Sequence, residues 1–196
     1  MTAIDDKYAT LTALLGSSTS SEEEITNGGR LRKYERGAIY WHQQTGACEV
    51  HGAILEKYRT LGGEAGPLGY PRTDESDAAR GAKYNHFVNG SIYWRGETGA
   101  FMIPPQIFEK WETMQWESGI GFPLGDPEDA IGGEIRQWFE KAVIIWSPQN
   151  GVSVVHQPAP LKKVIRVFLV SWVDVPPHLA SLRNSSMVIS LALVKH

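Results

Sequence analysis

The sequence repeats itself with a period of about 50 residues, and this repetition constrains the fold more than any other feature. One motif occurs three times: Ala3–Leu11, Ala53–Leu61 and Gln106–Met114. A second motif ends in tryptophan, and its copies place Trp41, Trp94 and Trp146 at intervals of 53 and 52 residues. Because two independent motifs share one period, we interpret the chain as about three copies of one structural unit.

A β-hairpin is predicted near the middle of each copy. In the best-preserved copy, residues 37–41 and 47–51 are short runs rich in aromatic and β-branched side chains. Five residues join the two runs, and Gly46 near their end suits a turn that needs one positive φ angle.

A short helix is predicted after each hairpin. Ile54, Tyr58 and Leu61 follow a helical spacing, and two glycines come directly after them, where a helix commonly ends. Glycine- and proline-rich connectors come next, at residues 66–75 and 119–126, and such segments fix turns.

The predicted fold class is an α+β repeat protein. Neither a two-stranded ribbon nor a helix of about ten residues is stable alone, so units of a hairpin and a short helix must pack side by side. We expect units at about residues 1–52, 53–105 and 106–156, within a repeat domain that spans 1–160. The units either stack in a line or close into a propeller-like ring.

Residues 161–196 differ from the repeats and are predicted to form a basic, β-rich tail. They carry five Lys or Arg and one Asp, a net charge of +4, whereas residues 1–160 carry −7. Two apolar runs, 164–170 and 188–194, are typical of strands. We expect them to cover an edge of the repeat domain or to begin a second β domain.

Composition excludes several classes of protein. The single cysteine, Cys48, rules out an intrachain disulfide framework, and a net charge of −3 gives no general attraction to nucleic acid. The longest apolar run, 164–175, is too short to cross a bilayer as a helix. No basic and apolar signal segment is recognisable at the N-terminus, which favours a cytoplasmic or already processed chain.

Catalytic, metal and cofactor sites are not predicted. The sequence lacks the common hydrolase, nucleotide and metalloprotease motifs, and its six histidines are scattered. We interpret Cys48 as an unreactive thiol and His51 as a residue that hydrogen-bonds a neighbouring turn. The acidic residues after each connector could hold Ca²⁺, but turn formation is the favoured interpretation.

Recurring aromatic residues are the best candidates for a binding surface. Alternation along a strand places the Tyr of each Ile-Tyr-Trp run on one face and the Trp on the other. Aromatic rings beside amides and carboxylates are typical of carbohydrate sites, although core packing is the expected role of most of these rings. The predicted ligand-binding residues are Tyr40, Trp41, Asp74, Glu75, Asn89, Tyr93 and Trp94.

These motifs resemble the LGFP repeat. The resemblance covers residues 1–156 and is strongest over 37–94, where Gly90-Ser91-Ile92-Tyr93-Trp94 and Gly66-Pro67-Leu68-Gly69-Tyr70-Pro71 lie close to the family pattern. The third copy departs from it, with Ile103-Pro104-Pro105-Gln106 in place of Val-His-Gly-Ala.

The chain is rich in tryptophan, with seven residues. The resemblance implies a cell-wall-associated module of the kind found beside mycoloyl transferases and peptidoglycan amidases. We therefore expect a non-catalytic, lectin-like protein that binds a glycan or cell-wall polysaccharide, located outside the cell and able to form a homo-oligomer. The alternative is an accessory domain of a hydrolase or acyltransferase, of the amidase, esterase or mycoloyl transferase type, whose catalytic part is absent here.

Overall fold

A computed structural model describes residues 1–156 of the 196-residue chain. Helix, connector and four-stranded antiparallel sheet follow one another three times in this part of the chain. The helices are α1 (Ala3–Ala9), α2 (Thr12–Leu15), α3 (Gly52–Thr60), α4 (Pro105–Thr113) and α5 (Trp116–Gly119). The predicted tail strands at 164–170 and 188–194 lie outside the described residues.

Each sheet is a meander in which the strands neighbour one another in chain order. The first sheet consists of β1 (Glu23–Ile25), β2 (Gly29–Lys33), β3 (Gly37–His42) and β4 (Gly46–His51). The second consists of β5 (Ser76–Asp77), β6 (Lys83–Phe87), β7 (Gly90–Arg95) and β8 (Gly99–Ile103). The third consists of β9 (Glu128–Ala130), β10 (Glu134–Trp138), β11 (Ala142–Ser147) and β12 (Gly151–His156).

The predicted hairpin is confirmed, but the unit around it holds more strands than predicted. Strands β3 and β4 pair in an antiparallel register that sets Ala38 opposite Val50, and Gly46 in the turn has a φ of 75°. Two further strands precede each hairpin, so every unit holds a four-stranded sheet rather than a hairpin alone. Sequence analysis missed β1, β5 and β9 because they are two or three residues long and mostly polar.

The predicted helix over residues 54–61 is confirmed as α3. Ile54 and Tyr58 are fully buried on its inner face, and Gly62 just beyond its end is left-handed with a φ of 93°. At the start of α1, the Asp5 backbone N–H donates to the Thr2 hydroxyl at 3.2 Å, and the Thr2 N–H donates to the Asp5 carboxylate at 2.8 Å. This reciprocal cap stabilises a helix of only seven residues.

Helices and sheets alternate as packed layers. In β3, Ile39 packs in a cluster with Ile4 of α1, whereas the next residue, Tyr40, packs in a cluster with Tyr58 of α3. Both faces of the strand are therefore covered, one by the preceding helix and one by the following helix. The sheets do not close into a barrel or a propeller within residues 1–156.

A recurring hydrogen bond joins each main helix to its connector. Tyr58 Oη donates to the carbonyl of Gly69 at 2.7 Å, and the Trp111 indole N–H donates to the carbonyl of Gly121 at 3.1 Å. The same contact in the first unit runs from Tyr8 Oη to Gly16 at 2.8 Å. The aromatic residue at this position thus fills the core and also satisfies a connector carbonyl.

Candidate functional site: the junctions between units

Consecutive units meet along the last strand of each sheet. We call the contact of β4 with residues 66–87 the first junction, and the contact of β8 with residues 119–140 the second junction. Positions in the two junctions correspond at an offset of 52 or 53 residues, as the bridges Pro71–Phe87 and Pro123–Phe139 illustrate. Each residue of one junction can therefore be compared with its counterpart.

Each junction is stabilised by an aspartate from its connector. One carboxylate oxygen of Asp74 accepts the backbone N–H of Glu49 at 2.9 Å, and the other pairs with the ammonium of Lys7. Asp126 does the same with the N–H of Met102, at 2.9 Å, and with Lys57. Each aspartate thus holds the edge strand and the helix of the preceding unit together.

A buried carboxamide provides the second shared contact. The amide nitrogen of Asn85 donates to the carbonyls of Glu49 and Thr73, both at 3.0 Å. At the second junction, Gln137 donates to Met102 at 2.7 Å and to Gly125 at 3.0 Å. Both polar backbone groups of one residue in the edge strand are therefore satisfied by the next unit.

A buried charged cluster distinguishes the first junction. Glu49 accepts the backbone N–H of Glu75 at 2.8 Å with one oxygen and contacts His51 Nδ1 at 2.8 Å with the other. The second ring nitrogen of His51 lies 3.4 Å from the carboxylate of Glu75. At the second junction, the equivalent residues are Met102, Pro104 and Pro127, none of which is ionisable.

Burial and charge shift the pKa values in this cluster. The hydrogen bond to Glu49, together with the negative charge of that carboxylate, raises the pKa of His51 above the ordinary 6.5. Burial raises the pKa of Glu75 above 4.5, a shift that the nearby His51 partly opposes. In its protonated form, the imidazole bridges two carboxylates that would otherwise repel each other.

A polar cavity of about 510 Å³ opens on the other side of the first junction. Its side chains come from four separate stretches of the chain, including the turn before β2, the β3–β4 turn and the connector. The polar and aromatic lining residues are Thr26, Asn27, His42, Gln44, Glu64, Tyr70 and Asn89. A cavity of this volume is within the range that accommodates small ligands.

The aromatic part of the cavity is His42 stacked on Tyr70, with ring centroids 4.6 Å apart and planes inclined by 22°. Tyr70 is buried and donates its hydroxyl to the carbonyl of Thr26, whereas His42 is half-buried. His42 Nδ1 accepts the backbone N–H of Gln44 at 3.3 Å, which leaves Nε2 of the neutral ring as a donor. The cavity therefore offers a fixed ring with one hydrogen-bond donor.

The equivalent space at the second junction is filled by side chains of the protein. Arg80 and Arg95 lie over the ring of Phe122, with guanidinium carbons 4.7 and 4.8 Å from its centroid. Glu140 binds Arg80 at 2.6 Å and Arg95 at 2.7 Å. Their counterparts at the first junction are Asn27, His42, Tyr70 and Val88, a set without an ion pair.

The residues predicted for ligand binding are not brought together in one site. Tyr40 and Tyr93 are 3% and 6% exposed and belong to two different cores. Trp41 and Trp94 are half-buried against the cores beside them. Asp74 and Glu75 lie in the first junction, and Asn89 lines the cavity.

Sequence analysis missed the most connected residue of the first junction, Glu49, and six of the seven polar and aromatic residues that line the cavity. A signal for Glu49 was present, because a carboxylate stands between Cys48 and Val50 in an otherwise apolar strand. The recurrence of Lys7 and Lys57 in the helix motif, with an aspartate after each of two connectors, likewise indicates their ion pairs.

Side chains with catalytic potential are tightly packed. His86 Nδ1 lies 2.7 Å from the hydroxyl of Ser91, but Ser91 is only 1% exposed and burial lowers the pKa of His86 below 6.5. Burial also raises the pKa of the Cys48 thiol to about 11, which disfavours the thiolate. No group of three or more His, Cys, Asp or Glu side chains suited to a metal ion is found in residues 1–156.

Repeated units joined through the same contacts define the class of the molecule, which is an α+β repeat protein. The sequence model of the LGFP repeat matches residues 15–66 and 68–119, together more than half of the chain. The chain therefore belongs to the LGFP repeat family, a cell-wall-associated family of repeats. The structure adds a third sheet, β9–β12, beyond the matched residues.

A search of curated proteins found no match to this chain. Among residues 1–156, none of the helices has the length and apolarity needed to cross a membrane.

Proposed function

We propose that this chain is a non-catalytic repeat module that binds a glycan through the first-junction cavity and so attaches to a cell-wall polysaccharide. The observation that carries the proposal is the lining of that cavity, in which a stacked aromatic pair lies beside carboxamides and a carboxylate. A sugar ring presents both an apolar face and a ring of hydroxyl groups, and such a lining can contact both. Membership of a cell-wall-associated family supports the same proposal.

Four of the cavity side chains support binding because they make no hydrogen bond to residues 1–156: Asn27, Gln44, Glu64 and Asn89. All four residues line the cavity, so a ligand there could pair with their polar groups. A protein whose own stability depended on these groups would pair them, as the second junction pairs its arginines and Glu140.

This proposal does not assign ligand contacts to four of the residues predicted to bind a ligand. Instead, it gives them a role in packing the cores: Tyr40, Trp41, Tyr93 and Trp94. The extracellular location, the lectin-like character and the homo-oligomer also belong to the proposal, as does a repeat domain over residues 1–160. Sedimentation velocity on the full chain tests the oligomer, because a monomer at the concentration used for binding would contradict it.

A glycan array and a pull-down with purified cell walls test the binding. The double variant Gln44→Ala/Asn89→Ala is expected to lose at least about tenfold in affinity, since two hydrogen-bonding groups are removed. The matched control, Glu97→Ala/Lys141→Ala, changes the equivalent exposed positions of the second junction and is expected to bind like the native protein. Absence of binding by the native chain would contradict the proposal.

The accessory-domain alternative is tested with esterase and amidase substrates and with serine- and cysteine-directed probes. We expect no turnover and no labelling, because Ser91 and Cys48 are buried. Turnover by the purified chain would contradict a non-catalytic module.

A further inference from the structure

The polar side chains around the first-junction cavity differ from their counterparts at the second junction in whether they have hydrogen-bond or ion-pair partners. At the second junction, Arg95 pairs with Glu97 at 2.6 Å, Lys141 donates to the Gly119 carbonyl at 2.9 Å, and Glu117 accepts the Ala79 N–H at 3.2 Å. At the first junction, Arg95 corresponds to His42, Glu97 to Gln44, Lys141 to Asn89 and Glu117 to Glu64. The side chains of Gln44, Asn89 and Glu64 make no hydrogen bond to residues 1–156.

Charge is the second difference. At the second junction, Arg80 and Arg95 are neutralised by Glu140 and Glu97, so that space is both filled and charge-balanced. At the first junction, Glu64 is the one carboxylate that lines the cavity, and no Lys or Arg of residues 1–156 lines it. A ligand in this cavity therefore meets a negative charge that no Lys or Arg of the lining neutralises.

We propose that Glu64 makes the first-junction cavity selective for an uncharged or amine-bearing sugar residue and against a uronic acid or a phosphorylated sugar. This inference rests on the proposed glycan binding and names the ligand class for the same site. A sugar hydroxyl or ammonium group can donate to the half-buried carboxylate of Glu64. A sugar carboxylate or phosphate cannot donate, and it is repelled at a distance where screening by solvent is incomplete.

The comparison of the two junctions also bears on the number of sugar sites in the described residues. At the second junction, Arg80, Arg95 and Glu140 occupy the positions equivalent to the lining of the first-junction cavity. We therefore expect one sugar unit to bind in the first-junction cavity of each chain, and several chains together to supply avidity for a polymer.

Matched sugars test the charge selectivity. The probes are the methyl glycosides of galactose and glucose, each with its 2-amino analogue and its uronate, titrated into the full chain and followed by NMR at constant ionic strength. The uronates are expected to bind about tenfold more weakly than the neutral sugars, and the amino sugars at least as tightly as the neutral ones.

Variants at equivalent positions provide the control. Glu64→Gln keeps the shape and an acceptor but removes the charge, so the gap between neutral sugar and uronate is expected to shrink to about threefold or less. Glu117→Gln at the second junction is expected to leave every affinity unchanged. Uronates that bind the native chain as well as neutral sugars, or equal effects of the two variants, would overturn the assignment to Glu64. If none of the sugars binds, the proposed glycan function itself is contradicted.

Discussion

The two junctions join consecutive units through the same backbone contacts but surround those contacts with different side chains. Both use a connector aspartate and a buried carboxamide to hold the edge strand of the preceding unit. The first junction then adds the cluster of Glu49, His51 and Glu75 on one side and leaves a polar cavity on the other. The second has apolar residues where that cluster lies and an Arg–Glu network where that cavity lies.

This difference indicates which contacts define the repeat and which are specific to one junction. The contacts common to both junctions involve backbone groups of the edge strand, which every copy must satisfy. The contacts that differ depend on side chains that are not shared by the two copies, such as Glu49 and His51 at the first junction and Arg80 and Glu140 at the second. A site for a ligand is therefore expected among the contacts that differ.

The largest expected effect tests what the junctions share. Tyr58→Ala and Trp111→Ala each remove the helix residue that is fully buried and that hydrogen-bonds the connector. We expect each to lower the free energy of unfolding by about 3–5 kcal/mol, through the cavity left in the core. Urea denaturation of the full chain measures the loss. A loss below about 1 kcal/mol for either variant would contradict the equivalence of the two cores.

Substitution of Glu49 tests what the junctions do not share. Glu49→Gln keeps the shape of the side chain but weakens its contacts with His51 and with the Glu75 N–H, so a loss of about 1–3 kcal/mol is expected. Met102→Leu at the equivalent position conserves volume and is expected to cost less than about 1.5 kcal/mol. If the Met102 variant were the more destabilised of the two, the cluster would not stabilise the first junction.

The connector aspartates are expected to give smaller and matched effects. Asp74→Asn and Asp126→Asn each keep an oxygen for the edge-strand N–H and lose the ion pair with Lys7 or Lys57. Because these pairs are partly exposed, each variant is expected to lose about 1 kcal/mol or less of unfolding free energy. Chemical denaturation at low and high salt checks this, since the native protein should approach the variants as salt rises. If only one of the two variants lost much unfolding free energy, Asp74 and Asp126 would not be equivalent.

The smallest expected effect is a difference in the direction of pH dependence. The raised pKa of His51 stabilises the first junction fully below pH 6.5, and this stabilisation is lost as pH rises through the higher native pKa. The raised pKa of Glu75 acts in the same direction, above its ordinary value of 4.5.

Glu140 at the second junction has the opposite dependence. Burial alone would raise its pKa, but hydrogen bonds and charge from Arg80 and Arg95 outweigh burial and lower the pKa below 4.5. This stabilisation is present above pH 4.5 and is lost as pH falls through the lower native pKa.

Stability profiles from pH 3 to about pH 9 separate the two junctions. His51→Gln is expected to flatten the alkaline side of the profile, and Glu140→Gln the acid side. If His51→Gln instead flattened the acid side, or Glu140→Gln the alkaline side, the assigned directions of the pKa shifts would be contradicted.

Much of the fold was predictable because it repeats. The periods of Trp41, Trp94 and Trp146 located the hairpins, and the spacing of Ile54 and Tyr58 located a helix. The short outer strands β1, β5 and β9 were not predictable, because a polar strand of two or three residues has no hydrophobic alternation to detect.

The candidate site was less predictable than the fold. Of the cavity residues, only Asn89 was predicted from sequence, and the others come from turns that become neighbours only when two units pack. Tyr40 and Tyr93 stood out in the sequence because they recur, yet recurrence follows from packing, and both are buried. In this protein, a side chain that differs between copies, such as His42 against Arg95, is the better indicator of a site.

The central claim is that a sugar binds at the first junction and not at the second. The most direct measurement is an NMR map of the isotope-labelled full chain during titration with the sugar that binds it best. The account predicts shift changes centred on the His42 ring and the side-chain amides of Gln44 and Asn89, with the signals of Arg80 and Arg95 unmoved. Shift changes centred on the second junction, or on residues remote from both junctions, would contradict it.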